Sequence, residues 1–249
     1  MDKLPVSILI PVKNEAHNLP RCLATLSWAS EVIVIDSNSS DLTTTLAAQA
    51  GAHVVQFAYT PPWPKKKQWA LDTLPLKNNW VLLLDADEVL PPETPEILRP
   101  LLTDANPVTG YWINRRFYFL GQPLHHAYTP NWNLRLFKRG SVYFERLTQE
   151  ETHSGDNEIH EHLISSGPTE KLPGLIMDHY AFPTVESFME KHQRYAAWEA
   201  TIELYPAPSS KLTGPAALRR TLKKLSRHLP FRPFLRFLWV YIFQKAFLD

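Results

Sequence analysis

The sequence predicts an α/β fold with a central, mostly parallel sheet flanked by helices, and three observations carry that prediction. Short apolar runs alternate with helix-like segments at the spacing of strand–helix–strand units. One of those runs, Trp80-Val81-Leu82-Leu83-Leu84, is apolar throughout, as a strand covered by helices on both faces must be. It ends abruptly in Asp85-Ala86-Asp87-Glu88, placing carboxylates where open α/β sheets bind their ligands.

Taken in order, Ser7 to Val12 (SILIPV) is the first strand, with Lys13-Asn14-Glu15 at its carboxyl end. Asn18 is placed to cap a helix from Leu19 to about Trp28, with Leu19, Leu23 and Leu26 on one face. Glu31 to Ile35 is the second strand, closed by Asp36-Ser37-Asn38-Ser39-Ser40-Asp41. Asp41 or Thr43 starts a helix that stops at Gly51. His53 to Phe57 is a strand, Lys65 to Leu74 a helix, and Trp80 to Leu84 the fourth strand. Beyond Glu93 the pattern changes to the strands Gly110 to Phe119 and Asn133 to Lys138. Strand-like Glu158 to Ile164, a short strand Leu175 to Ala181 and a helix Val185 to Tyr205 follow. The prediction is one domain over 1–205, its halves meeting near 104, then a proline-rich linker and a basic, aromatic helical extension over 211–249.

Composition narrows the class. The 249 residues are 44% hydrophobic and 20% charged, enough to bury a substantial core. A single cysteine, Cys22, rules out an intrachain disulfide and fits a reducing compartment, and the first residues pass into a strand without a signal-peptide pattern. The net charge of +1 conceals a split. From Lys211 onward there are nine basic residues and one acidic, against seventeen basic and twenty-four acidic upstream. The first turn is Pro-Val-Lys-Asn-Glu rather than G-x-G-x-x-G, and no P-loop occurs, which argues against a dinucleotide oxidoreductase and a P-loop NTPase. With only eight glycines, phosphate has to be held by a metal and side chains.

Asp85 and Asp87 suit a hard cation such as Mg²⁺ or Mn²⁺, which takes few carboxylates and leaves positions for phosphate and water. The same pair would also serve to cap the next helix. Zinc is disfavoured, because His160-Glu161-His162 is not H-E-x-x-H and no cysteines assist. Lys65-Lys66-Lys67 reads as a mostly solvated face. Arg115, Arg116 and Arg135 would either bind an acidic acceptor or brace the sheet. If Glu158 to Ile164 is a continuous strand, Glu161 shares a face with Ile159 and Leu163, a setting that raises a carboxyl toward a useful base. Glu158 and Asp156 are its rivals.

The ordered set Pro11-Val12-Lys13-Asn14-Glu15, Asp36 to Asp41, Lys67-Gln68-Trp69-Ala70 and Asp85-Ala86-Asp87-Glu88 resembles family 2 glycosyltransferases of the GT-A fold. Arg135-Leu136-Phe137, Ile159-His160-Glu161, Asp178-His179-Tyr180 and Phe247-Leu248-Asp249 resemble the bacterial lipopolysaccharide-core type, including β-1,4-glucosyltransferases. The resemblance implies a nucleotide-sugar donor, a UDP-sugar foremost, along the edge of the first four strands. Pro11, Val12, Asn14 and Glu15 would line the base and ribose site, and Asp36 would accept from the base. Lys67 would approach the diphosphate, Asp85 the ribose or a metal-bound water, and Asp87 the metal. It also implies an inverting displacement with Glu161 as base. Trp132, Arg135 and His160 are the acceptor candidates, the acceptor being a glycan or glycolipid of the cell envelope.

Two competing readings are a nucleotidyltransferase, disfavoured by the glycine-poor first turn, and a nucleotide-sugar binder without catalysis. The apolar run Phe237 to Phe243 is far short of the roughly 20 residues needed to span a bilayer. Beside Arg219, Arg220, Lys223, Lys224 and Arg227 it fits an interfacial helix on anionic lipid, ahead of an ordinary helix packed on the domain. The expected place is therefore the cytoplasm, at the inner face of the membrane. Nucleic acid is not an expected partner, since the body is acidic.

Overall fold

The computed structural model describes residues 2–60, 63–147, 161–205 and 231–249. Its first half is the predicted parallel unit. β1 (Leu4–Val12), β2 (Ala29–Asp36), β3 (His53–Gln56) and β4 (Trp80–Leu83) lie side by side in the order β3-β2-β1-β4, all parallel. Between them run α1 (Leu19–Ala24), α2 (Thr43–Gln49) and α3 (Lys66–Thr73). The strand sequences are apolar in continuous runs because both faces are covered. Ile8, Ile10, Val34 and Leu82 pack with Leu19 and Cys22 of α1 and Ala47 of α2. Leu9, Ile33, Ile35, Val81 and Leu83 pack on the other side with Ala70 of α3. Burying each such side chain contributes about 1.5–3 kcal/mol, so these two layers hold the edge of the sheet rigid.

The sheet continues past β4 in mixed directions, beyond the predicted parallel block. Among the described pairings, those beyond β4 are mainly antiparallel. β5 (Glu88–Val89) and β6 (Gly110–Phe119) flank β11 (Thr169–Phe182), and β8 (Asn131–Lys138) joins β6 to β4. Only β6 and β11 are parallel there. β7 (Gln122–Pro123) turns back on β6, and β9 (Val142–Phe144) pairs with β10 (Leu163–Ser165) in a separate two-stranded sheet. α4 (Thr94–Leu98) and α5 (Val185–Leu204) complete the domain, and α6 (Arg232–Leu238) leads into a π turn and a final 3₁₀ turn.

Several local expectations change. α1 stops at Ala24, four residues early, where Thr25 and Leu26 switch to shorter-range backbone bonds and Trp28 Nε1 donates to the Thr25 carbonyl. Asn18 precedes α1 but does not cap it; its Nδ2 donates to Glu15 Oε2. β11 is twice the predicted length because its polar opening stretch, Thr169–Leu172, pairs through its backbone with β6. The predicted strand Glu158–Ile164 is not continuous: Glu161 and His162 are outside any strand, and Glu158 to His160 lie outside the described residues. α5 matches its prediction closely and opens with a capping box between Thr184 and Ser187.

Candidate active site

Three strand ends converge. In the β1–β2 register Val12 faces Asp36, and in the β1–β4 pairing Leu9 faces Leu83, so the turns after all three strands open on one edge. Pro11 and Val12 finish β1. Asn14 adopts φ 55°, where its amide donates to Ser39 Oγ (2.8 Å) and its Oδ1 accepts from the Ser40 amide (2.8 Å). The Glu15 amide donates to Thr43 Oγ1 (2.8 Å) and the Ala16 amide to Asp41 Oδ2 (3.1 Å). Asp36 is fully buried and both its oxygens serve Ser39, so it braces the second turn. The two turns thereby form one rigid lip. Ser37 Oγ is buried there without a hydrogen-bond partner. Burial pushes the Glu15 carboxyl above its ordinary range, against the donation from Asn18.

Asp85 and Asp87 leave β4 on this edge and acquire different partners. Asp85 Oδ1 takes Lys67 Nζ at 2.6 Å, and Oδ2 takes Arg135 Nη2 at 2.6 Å. Its amide donates to Glu88 Oε2 (2.8 Å), and the wholly buried Glu88 in turn holds Arg135 and Arg115. Burial alone would raise the Asp85 carboxyl; Arg135 and then Lys67 outweigh it and hold the group well below the carboxylate range. Arg135 therefore clamps the carboxylate turn from a buried position.

Asp87 faces the opposite side. β5 pairs with β11 in a register that sets His179 against Glu88, and the Tyr180 amide donates to the Asp87 carbonyl (2.9 Å). His179 Nε2 lies 3.3 Å from Asp87 Oδ2, and Lys191 Nζ of α5 lies 3.6 Å from the same oxygen. Burial is again outweighed, first by His179 and then by Lys191, and the Asp87 carboxyl falls to about 2. His179 Nδ1 is buried with no hydrogen-bond partner. A carboxylate oxygen suits Mn²⁺ or Mg²⁺ alike, and an imidazole nitrogen suits the transition ion Mn²⁺ better than Mg²⁺, with other positions left to phosphate and water. The residues present fit such an ion as a two-residue holding pair. Among the described residues no group of three or more His, Cys, Asp or Glu is placed to hold one.

The lysine triplet is not the solvated face its charge suggested. Lys65 and Lys66 are buried, Lys66 Nζ donating to the Val12 carbonyl (2.8 Å). Lys65 Nζ lies 2.6 Å from Glu161 Oε1 and over the Trp198 ring. Glu161 thus meets a cation that the alternation did not announce, and Ile159, set beside it by that alternation, lies outside the described residues. Trp132 is the second residue of β8, half buried, with Lys171 Nζ 5.1 Å over its ring. His160, Glu158 and Asp156 lie outside the described residues. Cys22 is buried beneath the carboxylate turn, its Sγ 3.9 Å from the Asp85 carbonyl, and burial pushes the thiol up.

His179, Lys191 and Glu88 are the site residues to which sequence reading gave no role, and Arg115, left between an acceptor contact and a sheet brace, lies 3.2 Å from Glu88. His179 lay within a motif already noted, Asp178-His179-Tyr180, but a two-residue strand such as β5 leaves no pattern to show what it would meet. Lys191 is one of several charges on a helix, and nothing local marks it.

Known proteins carry the same sequence signature. The model of the family described as glycosyl transferase family 2 matches residues 7–155. The lipopolysaccharide core biosynthesis glycosyltransferase LpsC of Rhizobium meliloti is 28% identical, over 80% of this chain and 71% of its own. An uncharacterized glycosyltransferase of Rickettsia prowazekii is 27% identical over 78% of this chain and 66% of its own. Among solved structures, Staphylococcus aureus TarS in complex with UDP-GlcNAc covers 78% of this chain and 66% of its own at 15% identity, with a TM-score of 0.46. The glucosyl-3-phosphoglycerate synthase of Mycobacterium tuberculosis, in complex with Mn²⁺, UDP and phosphoglyceric acid, covers 85% and 82% at 17% identity and the same TM-score. With a strand order of 3-2-1-4, a carboxylate turn after the fourth strand and a family match over more than half its length, the chain is a GT-A-fold enzyme belonging to glycosyl transferase family 2.

Proposed function

We propose that this glycosyltransferase is metal-dependent and inverting, and that it moves a sugar from a UDP-sugar to a glycan or glycolipid of the bacterial envelope. The observation that carries the reading is Asp87 beside His179 at the mouth of the sheet edge, 3.3 Å apart. Those two residues would hold Mg²⁺ or Mn²⁺, which neutralises charge on the departing diphosphate when bound. Pro11, Val12, Asn14 and Glu15 line the nucleoside side of that edge, and Ser37 Oγ is the buried group there with spare hydrogen-bonding capacity. Lys67 sits where it can pass from Asp85 to the diphosphate, adding positive charge as the bond to the sugar breaks. Asp85, held by Arg135, orients the ribose side of the donor. Glu161 takes the proton of the acceptor hydroxyl, which requires its pairing with Lys65 to open when acceptor binds. The similarity to LpsC supports an acceptor in lipopolysaccharide core synthesis.

Asp87→Asn should abolish nucleoside-diphosphate release from a UDP-sugar panel and weaken donor binding while the fold survives, because the residue sits at a sheet edge. Excess EDTA should have the same effect on the native protein. Full turnover under either condition would sink the metal reading.

A further inference from the structure

The side-chain carboxylate of Asp249 is bound at one point of the domain by three consecutive backbone amides. His125 N donates to Oδ1 (2.7 Å), His126 N to Oδ1 (2.9 Å) and Oδ2 (3.2 Å), and Ala127 N to Oδ2 (2.6 Å). Successive amides converging on one anion form a nest, and hydrogen bonds to an ionised acceptor are the strong kind. The amides belong to the connection from β7 to β8, which has no strand ladder of its own to fix it.

The next residue shows what that fixing achieves. Tyr128 has φ 61°, a left-handed conformation that a bulky L residue keeps only when its surroundings impose it. Its ring lies 5.1 Å from Phe117, and its hydroxyl lies 3.4 Å from His192 Nε2. Phe117 packs on the His179 imidazole at 4.7 Å between ring centroids. His192 follows Lys191 on α5. Tyr128 therefore touches the supports of both cationic partners of Asp87, one through a ring and the other through a helix.

We propose that Asp249 is a positioning residue for the transfer site, holding Tyr128 in place through the His125–Ala127 nest and so fixing the ring of His179 toward Asp87. The proposal rests on the assignment of Asp87 and His179 as the metal-holding pair. It makes the aromatic tail part of the site's scaffold through Asp249 itself.

The test uses the full chain and its Asp249→Ala, Asp249→Glu and Asp87→Asn variants. Amide hydrogen exchange reads the nest in a peptide spanning residues 121–130, and electron paramagnetic resonance of free Mn²⁺ reads the metal pair. Asp249→Ala should speed exchange there and weaken Mn²⁺ binding about tenfold, the low end for losing a partner that orients a metal ligand. Asp249→Glu should restore much of both, and the thermal midpoint should scarcely move. If Asp249→Ala leaves exchange unchanged, the nest does not depend on the carboxylate and the proposal falls. If exchange rises while Mn²⁺ binding stays native, Asp249 is a tether only and the positioning role falls. If Asp87→Asn leaves Mn²⁺ binding intact, the metal reading fails by itself. Positioning is then judged by the His179 ring-proton shifts, which must differ between the native chain and Asp249→Ala for it to stand.

Discussion

Glu161→Gln leaves the Lys65 ammonium in a site only 4% exposed without the carboxylate that pairs it. Removing one partner of a buried ion pair costs about 3–5 kcal/mol, whereas replacing both by groups of similar volume is often near neutral. That asymmetry separates a catalytic carboxylate from a structural one. Glu161→Gln should lose both stability and turnover, the latter by a factor of about 10² to 10⁴ for a positioned base. The double substitution Lys65→Met with Glu161→Gln should recover most of the thermal midpoint and none of the turnover. Recovery of native turnover in the double variant would show that Glu161 only neutralises Lys65. This pair also marks a limit of reading residues from sequence. Three consecutive lysines look solvated because charge prefers water, yet Lys65 and Lys66 are buried, Lys65 meeting a carboxylate 96 residues away and Lys66 donating to the Val12 carbonyl. No local pattern announces either.

The turn Asp85–Glu88 between β4 and β5 works as a unit, and its acid response follows from the signs. Asp85 and Asp87 both titrate below the unfolded value of about 3.9. Groups depressed on folding contribute stability that is full above the unfolded value and is lost as pH falls through the folded one. For Asp87 that window runs from about pH 4 down to about 2. Measured without metal, the native protein should lose thermal stability faster than Asp87→Asn across this interval; parallel curves would mean that His179 and Lys191 do not stabilise the carboxylate. Elements of this region were unequally legible. β1, β2 and β4 showed in the sequence because strands covered on both faces must be continuously apolar. β5 has two residues and no pattern to show. The opening stretch of β11 is polar, since its contribution is backbone pairing with β6, and composition does not record that. The turns after β1, β2 and β4 were legible because they follow legible strands, whereas His179 and Lys191 depend on where β11 and α5 fold back.

At the scale of the whole molecule, charge and aromatic surface are segregated. Among the described residues, no helix is long and apolar enough to cross a membrane. The stretch from α6 onward nevertheless exposes Phe234, Phe237, Trp239, Tyr241, Phe243 and Phe247. The basic cluster Arg219 to Arg227 lies outside the described residues. We propose that this end of the chain sits at an anionic lipid surface, each engaged basic residue contributing about 1 kcal/mol. Binding to liposomes should rise with anionic lipid, weaken with salt and drop when Arg219, Arg220, Lys223 and Lys224 become Ser. Indifference to anionic liposomes at low salt would make the aromatic tail a surface for something other than lipid. The pairing of β5 with β11 carries a further consequence, one of timing. It brings Asp87 to His179 across about ninety residues of chain, and contacts that distant are slow to form. The lip made by β1, β2 and β4 draws on the first eighty or so residues and can be complete earlier. On the roles proposed above, a half-finished chain would then offer the nucleoside side of a donor without the metal pair, so that turnover reports that β11 has paired with β5.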